Sequence, residues 1–137
     1  MPNWRDELIE AVKTKDERDA EELARHKKRV EEALTTAAEA LRLAAEGMRF
    51  TGDRLKEKGQ PAELTEAADQ VKLTIFEASL ALELSRESAI IKVTFGDSKP
   101  REFDFAKDRH IAPADVEEYI GRRSLELVRA AYKAHPW

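Results

Sequence analysis

No proline occurs between Asn3 and Lys58, and the residues across that stretch are mostly strong helix formers. Asn3 can cap a helix that opens at Trp4, with Asp6 and Glu7 in its first turn facing the positive end of the helix dipole. From Ala20 onward the apolar residues keep a heptad-like spacing. One seam runs Leu23, Val30, Ala37, Ala44; the other runs Ala20, Lys27, Leu34, Leu41, Met48, with Leu55 in the same register. Lys27 breaks the stripe and Thr51 continues it. Trp4, Leu8, Ile9 and Val12 lie in a slightly different phase, and the charged residues 13–19 separate them from the seams. A continuous helix over residues 4–58 would be about 80 Å long at about 1.5 Å per residue. It has two weak points. A break near Gly47 to Gly52 is the first alternative to continuity, because each helical glycine costs about 1 kcal/mol. The charged stretch before Ala20 is the second.

A hairpin with its tip at either weak point has one arm too short to cover the Ala/Leu stripe from Leu34 to Met48. That stripe must pack on the rest of the chain or on another copy. An ordinary core helix with a solvated outer face satisfies the spacing, and so does a self-association seam made by Leu23, Val30, Leu34, Leu41 and Met48.

Gly59-Gln60-Pro61 ends the helical region. Beyond Pro61 the chain alternates with period two: a weak segment at residues 62–67, then 71–76, 80–84, 89–95 and 101–105, with polar connectors at 68–70, 85–88 and 96–100. These predict an antiparallel β-meander of four or five strands, one face of which is apolar and needs a cover. The segment 73–84 has a helical alternative, because residues 77–84 also fit a helix. Pro113 suits a first helical position, and Val116, Ile120, Leu127 and Ala131 form a stripe, with Leu125 and Tyr132 off it. His135-Pro136 stops this last helix. The expected fold is α+β: a long coiled-coil-like helix over residues 1–58, then meander and C-terminal helix over 59–137, folding together as one domain.

The formal charge of −4 argues against a nucleic-acid binder, and no region is strongly basic: 13 basic residues face 14 acidic ones up to Lys58, 3 face 7 over 59–98, and 8 face 7 thereafter. The run Arg25-His26-Lys27-Lys28-Arg29 wraps more than a helical turn between Glu21/Glu22 and Glu31/Glu32, which supply intrahelical partners. Absence of cysteine removes disulfides and thiolate chemistry and fits a reducing compartment. No apolar leader precedes the first helix and no stretch approaches about 18 apolar residues. A cytoplasmic protein without a membrane span is the expectation.

No catalytic set stands out. His26, His110 and His135 fall in different elements without metal-ligand spacing. The glycines are scattered, and Ser79, Ser85, Ser88, Ser98 and Ser124 lack a nucleophile-elbow context. No catalytic, cofactor or metal residues are therefore assigned. A site built from Asp97, Asp108 and His110 has no supporting spacing. Trp4 is expected to anchor the helix start, and Trp137, if exposed, is a candidate partner contact. At the level of architecture, helix–sheet–helix resembles prefoldin-like chaperone subunits, and a small acidic α/β chain resembles type III secretion chaperones. The unequal helices depart from the symmetric arm of the first. The expected function is a non-enzymatic, adaptor- or chaperone-like interaction module, a homo-oligomer assembled through the long helix. The alternative is a nucleic-acid-associated regulatory factor using Arg25–Arg29.

Overall fold

The computed structural model describes residues 3–137. Met1 and Pro2, the first two residues of the expected helical segment, lie outside the described residues. The chain runs α1 (Trp4–Ala11), α2 (Lys15–Glu57), β1 (Ala62–Ala67), β2 (Gln70–Ile75), β3 (Ala78–Ser85), β4 (Ile90–Phe95), β5 (Arg101–Asp104) and α3 (Pro113–Ala134). It is an α+β arrangement of a long N-terminal helix, a five-stranded antiparallel sheet and a C-terminal helix.

The N-terminal helix breaks at residues 12–14, the charged weak point, and passes unbroken through Gly47 and Gly52. Local chemistry explains the first outcome. The Thr14 hydroxyl accepts from the Glu17 N–H at 3.2 Å and starts a new helix. The carbonyls left open at the end of α1 are taken by Arg18, which donates to the Glu10 oxygen at 2.9 Å and the Lys13 oxygen at 3.2 Å. Tertiary packing explains the second. Met48, Gly52 and Leu55 are buried on one side of α2, and a Cβ at Gly52 would lie 3.5 Å from Leu73 Cδ1. Close helix–sheet approach there outweighs the low helix propensity of glycine.

The sheet is a meander in the order β1-β2-β3-β4-β5. Its register places Leu73 opposite Leu80, Leu82 opposite Val93, and Ile91 opposite both Leu84 and Phe103. All of these are buried on one face. On the other face Lys92 stands between Glu83 and Glu102. Residues 78–84 are strand, so the helical alternative does not form. The β2–β3 turn departs from the sequence expectation. β2 ends at Ile75, and Phe76 and Glu77 make a two-residue connection with Phe76 at φ 51°. That conformation is strained for a bulky residue. Contacts from the end of α3 hold it: the His135 ring stacks on Phe76 at 4.1 Å, and its Nε2 lies 3.2 Å from Glu77 Oε2. The Glu77 carboxyl is held below its ordinary range by its own backbone N–H and by His135.

Helices α2 and α3 pack against each other and both lie on the buried face of the sheet. Ala37, Ala40, Ala44 and Ala45 bring α2 close to its neighbours, and Val116, Ile120, Leu127 and Ala131 are the apolar residues that α3 buries. Pro113 opens α3, and Asp115 accepts from the Ala112 N–H at 2.8 Å.

Candidate functional site

Burial divides α2 in two. Its first buried residue is Val30, and α1 has none. Residues 4–29, α1 and the first part of α2, therefore form an arm that packs no side chain into the core. Trp4, Leu8, Ile9, Val12 and Leu23 are each more than half exposed on it. Trp4, Leu8 and Val12 recur every fourth residue, which sets them on one side of α1 with Ile9 adjacent. The bend between α1 and α2 is fixed by Lys13, whose Nζ lies 2.6 Å from Glu10 and 2.7 Å from Glu21. These contacts hold the Glu10 carboxyl below its usual range and raise the Lys13 ammonium.

At the other end of α2 a groove of about 830 Å³ runs between α2 and α3. No strand residue lines it. Phe50 on α2, Leu125 and Val128 on α3, and Trp137 form its apolar surface. Phe50 is 64% exposed, which is unusual for so large an apolar side chain beside a core. Gly47 and Gly121 face it from opposite walls, and a Cβ added at either would meet no atom within 4 Å. A helical glycine costs about 0.5–1 kcal/mol relative to alanine. Gly52 has a packing reason within the chain; Gly47 and Gly121 do not. Ser124 also lies on the wall. It is only 3% exposed, and its hydroxyl has no hydrogen-bond partner among the described residues. The rim is charged, with Arg54 and Lys58 on the α2 side and Glu117 and Glu118 on the α3 side. Arg54 reaches Glu57 at 3.2 Å and lies over the Phe50 ring at 5.5 Å. An apolar floor that two helix backbones leave open, flanked by charges of both signs, has the character of a helix-binding groove.

The five candidate seam residues meet different fates. Val30, Leu41 and Met48 are buried in the chain's own core, Leu34 is partly buried against it, and Leu23 is 56% exposed. The stripe from Leu34 to Met48 is thus covered from within, by α3 and the sheet. Only Leu23 stands on the uncovered part of the helix. Sequence reasoning missed Phe50, Leu125, Gly47, Gly121 and Ser124 as groove residues. Phe50 lies outside both heptad seams and Leu125 off the α3 stripe, and these two off-register apolar residues are the signal that could have found it. Asp108 and His110 share the loop after β5, where Asp108 Oδ1 accepts from the His110 N–H at 3.0 Å. Asp97 lies in the turn at the opposite end of β5, so these three do not form a site. Trp137 joins the groove and packs edge-on to Tyr132 at 5.0 Å. No helix among the described residues is long and apolar enough to cross a membrane.

Comparison with protein-family models, with curated proteins and with solved structures found no match for this chain.

Proposed function

We propose that this chain is a non-enzymatic protein–protein interaction module that self-associates, the apolar face of α1 in one copy docking into the α2–α3 groove of another. One observation carries the reading: the same chain holds an unpartnered apolar helix and an unfilled apolar groove that cannot meet within one molecule. From Lys15 to Gly47, α2 rises about 48 Å. The eight residues of α1 span about 12 Å, and the three-residue connector adds at most about 11 Å. The helix falls well short of its own groove and can reach only that of a second copy.

Charge supports the pairing. On α1 the carboxylates Asp6 and Glu7, with Glu10 held by Lys13, accompany a single cation, Arg5. Arg54 and Lys58 on one rim suit the carboxylates, and Glu117 and Glu118 on the other suit Arg5. Gly47 and Gly121 leave room for the incoming backbone. Magnitudes favour a closed, reciprocal dimer. Burying a large apolar side chain is worth about 1.5–3 kcal/mol, so four of them roughly match an association cost of about 4–15 kcal/mol. Two such contacts made in one event around a two-fold axis exceed that cost more readily than one contact in an open chain. An assembly of this kind suits an adaptor- or chaperone-like role. A chain with no cysteine suits a reducing compartment, which favours a cytoplasmic location.

Light scattering on a sizing column tests the reading. The mass of the unaltered chain should rise toward twice 15.6 kDa with concentration. A Leu8→Asp/Ile9→Asp variant should stay at the monomer mass while keeping its helical circular dichroism. A monomer at every concentration, or a variant that associates as before, contradicts it.

A further inference from the structure

A second feature lies where the arm leaves the core. The fold brings the α2 run Arg25–Arg29 next to the loop after β5, two basic segments far apart in sequence. Between them is a hollow of about 610 Å³ lined by His26, Arg29, Ser88, Asp104, Lys107 and Arg109. Arg29 and Arg109 also line an adjoining hollow with Glu32 and Asp108, so both residues stand at the boundary of the two.

Nine of the thirteen arginines are engaged. Arg18 donates to backbone carbonyls; Arg42, Arg49, Arg54, Arg86, Arg122 and Arg123 pair with carboxylates; Arg5 and Arg101 lie over aromatic rings. Arg25, Arg29, Arg109 and Arg129 have no ion pair or ring contact among the described residues. Three of these four stand at the root of the arm. Neither Lys107 nor His26 is paired there. Two of the three nearby carboxylates are turned to the loop itself: Asp104 Oδ1 accepts from the Lys107 N–H at 3.0 Å, and Asp108 accepts from the His110 N–H. Ser88 donates its hydroxyl to Ser85 at 2.9 Å. Like charges gathered from separate segments repel one another, and a bound anion would relieve that repulsion.

We infer that this hollow binds a phosphoryl group through Arg29 and Arg109, with Lys107 and His26 beside them. The guanidinium fork matches two oxygens of a phosphate at once, and lysine adds a point charge. Three cations, Arg29, Lys107 and Arg109, stand against Asp104 around this hollow, and Glu32 and Asp108 line the adjoining one. Arg25 lies one helical turn from Arg29 and extends the positive surface along the arm.

Calorimetric titration of the full chain with pyrophosphate at low ionic strength tests the site. Saturable binding with one site per chain is expected, weakened at least tenfold in Arg29→Gln/Arg109→Gln and by less than twofold in Arg129→Gln. Both altered side chains in the first variant are exposed, and unchanged circular dichroism will establish that it folds. Oligonucleotides with and without a 5′-phosphate then separate the sources of the group. A preference for the phosphorylated end marks an isolated phosphoryl group. Equal binding that falls steeply with salt marks a polymer backbone. Either result sustains the site. No saturable binding of pyrophosphate, or equal affinity in the Arg29→Gln/Arg109→Gln and Arg129→Gln variants, overturns it.

Discussion

The two ends of the N-terminal helical region have similar raw materials and opposite fates. Residues 30–57 and residues 4–29 both carry apolar side chains at helical spacing, yet the first set is buried from Val30 to Leu55 and the second packs nothing into the core. The difference lies in the residues between the large side chains. Around Leu41 and Met48 stand Ala37, Ala40, Ala44 and Ala45, small enough for α3 and the sheet to approach closely. Around Leu8 and Leu23 stand charges. A heptad pattern shows which face is apolar; the size of its neighbours decides whether the chain itself can cover that face.

Mutation of the covered half should have the largest effect. Met48→Ala removes a fully buried side chain and should cost about 2–5 kcal/mol in urea unfolding. Ile9→Ala on the arm should change the stability of the monomer by no more than about 0.5 kcal/mol. Comparable losses at both positions would erase the distinction. Next in size is Gly121→Trp, which fills the groove: it should lower self-association in light scattering to the level of the Leu8→Asp/Ile9→Asp variant, with unfolding of the core little changed.

Smaller effects sharpen the contrast between glycines. Gly47→Ala meets open space and should raise the stability of the monomer by about 0.5–1 kcal/mol in urea unfolding. At Gly52 the new methyl group would touch Leu73, so the gain should be smaller or absent. The smallest effect is on the α1–α2 bend. The Glu10 carboxyl is held below its ordinary range by Lys13. Its contribution is therefore present above the unfolded carboxylate range and lost as pH falls through its lowered value. Amide exchange at residues 10–18 should quicken relative to the core on acidification, and exchange in step with the core would contradict this.

Much of this fold is legible in the sequence. Period-two alternation marks the strands because one sheet face is buried and the other solvated, and Pro113 marks the start of α3. What escapes local reading was decided by contacts across the fold. Phe76-Glu77 carries no turn chemistry of its own and is held by His135, 58 residues beyond Glu77. Helix continuity through Gly52 depends on Leu73 beneath it. The groove left only a faint signal for a related reason: Phe50 and Leu125 stand off register on separate helices and become one surface only when α2 and α3 lie side by side. The arm shows the reverse case. Trp4, Leu8, Ile9 and Val12 are out of phase with the seams in the sequence, and they remain outside the core in the structure.

Because the chain contains no cysteine, single cysteines can report directly on whether α1 enters the groove of another copy. Leu8→Cys and Leu125→Cys proteins, mixed and mildly oxidised, should form a mixed disulfide dimer of about twice 15.6 kDa in high yield. Leu8→Cys mixed with Thr65→Cys, on β1, should not. Equal yields in the two mixtures, or no dimer in either, would contradict docking of the arm in the groove.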